Sequence, residues 1–156
     1  MNARLSRRLV GLAAMLGIMG ATAVPAQGAD GRIPIMVSAS ERDRVLEEMR
    51  VFLHGLHNIF HALSRRDMKS VAVEAAALGR EGQTMPAALR NRLPVAYMEM
   101  ARGLHEVFDA IARDATAKAD PFHTLGQLGE AVSYCSGCHD TYRFQIGRIT
   151  RSPDQR

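Results

Sequence analysis

Cysteine is scarce in this 156-residue chain, with only Cys135 and Cys138 present, so at most one disulfide could form. Long apolar runs are missing as well. The uncharged stretch from Leu9 to Met19 falls short of the roughly 20 residues that a membrane-spanning helix needs. No segment alternates apolar and polar residues with the period of two that marks half-buried strands, which argues against a sheet-based or βαβ architecture. No basic patch interleaved with aromatics occurs, so a nucleic-acid surface is not expected. Nor is an acid/base pair arranged for peroxide chemistry. Glu106 and Asp109 read as solvated helix charges, and an enzyme is not expected.

The first 26 residues read as a secretory leader. Arg4, Arg7 and Arg8 supply a positive start, an apolar run follows, and Val24-Pro25-Ala26 has the small-residue form of a cleavage site. Cleavage after Ala26 is expected, with Ala23 and Ala29 as neighbouring possibilities. The leader holds three of the 20 basic residues and none of the 16 acidic ones, so 17 against 16 remain in the mature chain. The basic character of the whole chain therefore belongs mostly to its leader. Export implies a periplasmic location, with no stable membrane insertion once the leader is removed.

Residues 27–37 read as an irregular segment, residues 38–150 as a helical domain, and residues 151–156 as a frayed polar tail. Ser38-Ala39-Ser40-Glu41 has the form of a capping box. Leu46, Met49, Leu53, Leu56, Phe60 and Leu63 then follow at spacings of three and four, predicting one long amphipathic helix ending near Arg65-Arg66. A second helix is predicted from Asp67 to about Leu78, stopped by Gly79. The stretch 80–93, with Gly82, Pro86 and Asn91, reads as a loop with at most a helical turn. Pro94 suits the first turn of a third helix, whose stripe is Tyr97, Met100, Leu104, Phe108 and Ile111. Asp120-Pro121 opens a fourth, carrying Phe122, Leu125, Leu128, Val132, the cysteines and the residues up to Ile146. Four such helices with short connections predict an all-α fold, an antiparallel four-helix bundle.

Cys135-Ser136-Gly137-Cys138-His139 is the C-x-x-C-H pattern of covalent haem attachment. Two thiols three apart on one helical turn can each add to a vinyl group, and the next residue places an imidazole beneath the iron. The small Ser136 and Gly137 let a porphyrin edge lie close to the backbone. A redox dithiol would want a βαβ setting, which is absent. A zinc site would need further ligands, which only His54, His57, His61, His105 or His123 could supply.

With Tyr142 and Arg143 following on the same C-terminal helix, this motif resembles that of cytochrome c′ and its low-spin relatives, a likeness that covers about residues 40–143. The resemblance implies one haem c packed within the bundle, often a homodimer, and Arg143 near the haem edge. It also implies that the residue opposite the proximal His139 comes from the first helix. A small apolar residue there leaves the iron five-coordinate and open to diatomic gases, whereas methionine closes it and makes an electron carrier. Both options are present. Leu46 lies four residues after Arg42, the family's gas-binding spacing, and Met49-Arg50 resembles the Met-Arg of the low-spin group, continued by Leu53. The expectation is a non-catalytic carrier with His139 and Met49 on the iron, serving redox partner proteins. The alternative is a five-coordinate protein binding NO or CO, its distal side lined by Leu46, Met49 and Leu53. His54, His57 and His61 share one helical face and read as an exposed flank, with a surface metal site (in a haem-free bundle) or one of them in place of methionine on the iron as the alternatives.

Overall fold

The computed structural model describes residues 30–82 and 85–148, 75% of which are helical. The leader and the polar tail expected from the sequence lie outside these residues. The element order is β1 (Ile33–Val37), α1 (Ala39–Ser64), α2 (Met68–Leu78), α3 (Ala87–Arg90), α4 (Val95–Ala117), α5 (Pro121–Thr141) and β2 (Tyr142–Ile146), with a 3₁₀ turn at Arg80–Gly82. No helix among the described residues is long and apolar enough to cross a membrane.

The helix starts follow from local hydrogen-bond chemistry. The Ser38 hydroxyl accepts from the Glu41 amide, and the Glu41 carboxylate accepts from the Ser38 amide at 2.9 Å, which satisfies two otherwise orphaned donors at the start of α1. Glu41 also takes an ion pair from Arg92, tying that end of α1 to the segment after α3. Asp67 caps α2, and Asp120 caps α5 with Pro121 in its first turn. Arg66 and Ala119, in the tight connections after α1 and α4, have left-handed backbone angles of 56° and 51° in φ.

The sequence expectation needs two corrections. Residues 33–37 are a strand rather than irregular, and residues 142–146 are a second strand rather than the end of the last helix. The two pair in parallel, from Ile33 opposite Tyr142 to Val37 opposite Ile146. Each is only five residues long; β1 is wholly apolar and shows no alternation, whereas Tyr142-Arg143-Phe144-Gln145-Ile146 does alternate, a strand signal that the reading of a helix up to Ile146 passed over. Ile35 and Val37 turn inward, and Tyr142 and Phe144 are held edge-on against Tyr97 of α4, at ring separations of 5.5 and 5.8 Å. Aromatic pairs favour this geometry.

The phase of α1 is the second correction. Its buried side is formed by Val45, Glu48, Gly55, Ile59, Ala62 and Leu63, about one position away from the predicted stripe. Leu53 is 68% exposed and Phe60 47%. Glu48 and Gly55 are not apolar signals, so the true face was weaker in the sequence than its neighbour. Gly55 is there because α2 comes close: a Cβ at this position would meet Leu78 at 2.6 Å.

α2 packs on both α1 and α4, and α4 packs on α5. The apolar interior divides into two clusters. One joins α1, α2, α4 and α5 around Ile59, Val71, Phe108, Ile111 and Leu128. The other gathers Ile35, Val37, Val45, Leu89, Leu93, Tyr97 and Tyr142 at the strand end of the molecule.

Candidate cofactor site

A cavity of about 350 Å³ lies between these clusters, within the size range of small-molecule and cofactor pockets. Phe52, Leu104 and Tyr134 wall it from the first cluster, and Val45, Met85, Tyr97, Met98 and Phe144 from the second. Tyr134 owes its seat to Gly103 on α4, where a Cβ would meet the tyrosine ring at 2.6 Å. The walls are mainly apolar. Arg32, Arg42, Arg90 and Arg143 contribute guanidinium groups, and Glu48 and His105 are the other ionisable side chains besides those of the C-x-x-C-H segment and the tyrosines.

Six of the seven sequence-predicted site residues line this one cavity: Cys135, Cys138, His139, Arg143, Met49 and Leu46. α5 carries the two cysteines and His139, α1 carries Leu46 and Met49 across the cavity, and β2 supplies Arg143. Leu53 is not among the lining residues. It lies on the exposed side of α1, for the reason of helix phase given above. His54, His57 and His61 are exposed. Among the described residues no group of three or more His, Cys, Asp or Glu side chains converges where it could hold a metal ion.

The two thiols are free and partly buried. Burial pushes the Cys135 thiol above its usual range, and burial, with a smaller repulsion from Cys135, does the same to Cys138. A redox dithiol is activated by the opposite shift, which favours the thiolate. Cys138 also touches the thioether of Met100, with Sγ 4.0 Å from Sδ. His139 sits at the exposed margin of the cavity. Its backbone carbonyl accepts from Arg32 at 3.3 Å, while its ring makes no hydrogen bond to another described residue. Two protonated thiols one turn apart, an uncommitted imidazole beside them and a thioether on the facing helix form a donor set suited to a covalently held, iron-bearing macrocycle. The apolar walls would take its faces, and the arginines its carboxylates.

Other lining residues were not singled out by the sequence reading, among them Tyr97, Tyr134, Phe144, Met85 and Glu48. Tyr134, Glu48 and Phe144 each adjoin a predicted site residue, and Tyr97 belongs to the stripe predicted for the third helix, which were the signals available. Glu48 is nearly buried, and the loss of water pushes its carboxyl above the usual range, partly opposed by His105. No family model matches the chain, and neither a curated protein nor a solved structure does.

Proposed function

We propose that the protein is a periplasmic single-haem carrier of one electron, a cytochrome c′-like four-helix-bundle protein with haem c attached through Cys135 and Cys138. The observation that carries this reading is the meeting of Cys135, Cys138, His139 and Met49 around one mainly apolar cavity. When bound, the haem supplies a one-electron ferric/ferrous couple.

The chain's own residues do the rest. The thiols fix one edge of the group to α5. His139 of α5 and Met49 of α1 would be the residues that hold its iron. Phe52, Leu104, Tyr97 and Phe144 exclude water, which sets the local dielectric and with it the potential. Redox partner proteins would dock near α5, and a homodimer is the assembly that the family resemblance suggests. No acid/base pair facing the cavity is assigned a chemical step, so the protein is proposed to be non-catalytic.

Leu46 also lines the cavity, and this favours a second reading in which the iron stays five-coordinate and binds NO or CO. The pyridine haemochrome assay tests for the covalent haem itself. Ferric and ferrous optical spectra, with and without carbon monoxide, then decide between the readings. A sulfur-to-iron charge-transfer band and no response to the gas support the carrier. A high-spin spectrum that shifts with the gas replaces it by the open site, and absence of haem refutes both.

A further inference from the structure

His105 is the one buried histidine, 4% exposed, and it lines the same cavity, yet the carrier reading gives it no task. Its Nδ1 lies 2.7 Å from the carbonyl oxygen of Leu78, the last residue of α2. A carbonyl can only accept, so Nδ1 carries the proton, and in the neutral ring the lone pair falls on Nε2. Nε2 makes no hydrogen bond to any other described residue. Nε2 is left to the cavity, whose one carboxyl group, that of Glu48, is the charged neighbour of His105.

This arrangement is the one that metal-binding histidines adopt. The second ring nitrogen donates to a backbone carbonyl, which fixes the tautomer and the ring orientation and makes the free nitrogen a better ligand. The ring is also immobilised on the side of α1 that faces the cavity. Phe52, one turn beyond Met49, packs on it at a centroid distance of 5.4 Å, and Phe108 braces Phe52 from behind at 5.8 Å. His105 and Met49 both line this cavity, one from α4 and one from α1.

We propose that His105 is a second axial donor of this site, presenting Nε2 to the iron position that Met49 serves, so that the sixth ligand can exchange between thioether and imidazole. The proposal rests on the haem reading above. The exchange breaks one metal–ligand bond and forms another, with no change in electron count. Soft thioether sulfur suits the ferrous ion, and imidazole nitrogen suits the ferric ion better. The imidazole-ligated form has the lower potential, since Met/His ligation raises it.

The test compares the haem-loaded full chain with its Met49→Ala and Met49→Ala/His105→Gln variants by ferric electron paramagnetic resonance and by carbon monoxide binding. Glutamine keeps a donor for the Leu78 carbonyl but offers a poor ligand. Met49→Ala is expected to stay low-spin with a two-nitrogen signature, and the double variant to turn high-spin and bind the gas at least tenfold faster. A Met49→Ala protein that is already high-spin and matches the double variant overturns the proposal. If the double variant does not fold, imidazole titration of Met49→Ala decides. A two-nitrogen spectrum unmoved by added imidazole supports His105, and a high-spin spectrum that converts overturns it. Failure of the haem reading shows separately, as a parent protein without a haemochrome band.

Discussion

Replacing Gly103 by alanine and, separately, Gly129 by alanine sets the same chemical change in two helix interiors and predicts opposite signs. At Gly103 the added methyl would lie 2.6, 2.7 and 2.8 Å from Cε1, Cζ and Oη of Tyr134. Non-bonded carbons rest at about 3.5–4.0 Å, so the ring must retreat by about 1 Å, into the cavity that it lines. Overpacking of this kind costs about 1–3 kcal/mol, and the better helix propensity of alanine returns about 1 kcal/mol. Gly103→Ala should therefore lower stability by about 0–2 kcal/mol. At Gly129 nothing lies within 4 Å of the added carbon, so only the propensity gain remains, about 0.5–1 kcal/mol. Urea denaturation of the two variants beside the parent gives both numbers. Haem content gives a second readout, which should fall in Gly103→Ala and hold in Gly129→Ala. Equal stabilisation of the two variants would refute the close approach of α4 to Tyr134.

The phase of α1 is tested by a pair of truncations. Leu53→Ala should change stability by no more than about 0.5 kcal/mol and leave the spectra alone, whereas Ile59→Ala, at a fully buried position, should cost about 2–5 kcal/mol; reversed costs would restore the stripe read from the sequence. Asp114 is held down at about 2, first by its hydrogen bond from His123 and then by that from Lys118. Its folded value lies below the ordinary 3.8, so the stability contributed by the ionised carboxylate is present above that pH and is lost as pH falls toward 2. Asp114→Asn should flatten that acid limb, measured as denaturation midpoints between pH 2 and 5, and an unchanged slope would show that the His123 and Lys118 contacts do not hold in solution.

The helix starts were legible in the sequence because caps are local: Ser38 with Glu41, Asp67 and Asp120-Pro121 each act within three residues of themselves. The buried face of α1 was not, because a close approach by Leu78 demands Gly55, and the cavity accepts Glu48. Neither residue looks like core. β1 escaped because it is wholly apolar, and β2 because its short alternation directly follows a strong helical pattern and was read as the end of that helix. At the site, the C-x-x-C-H spacing pointed to three lining residues through covalent chemistry alone, and Leu46, Met49 and Arg143 came in through the resemblance to cytochrome c′ and its low-spin relatives. Tyr97, Phe144 and Met85 become walls only when β2 and the segment around α3 fold over the cavity, which no local pattern encodes. His105 looks like any lone histidine until the end of α2 offers it a carbonyl.

The parallel pairing of β1 with β2 joins segments more than a hundred residues apart, and this imposes an order of events. Such long-range closure is a slow step in folding, because the loop entropy must be spent before the contacts form. Tyr142, Arg143 and Phe144 of β2 are a wall of the cavity, so until that strand docks, the cysteine-bearing turn of α5 faces an open trough. On the proposed haem reading, the group would enter from that side before the strand docks. When β2 pairs with β1, the first and last of the described elements close together over the cavity.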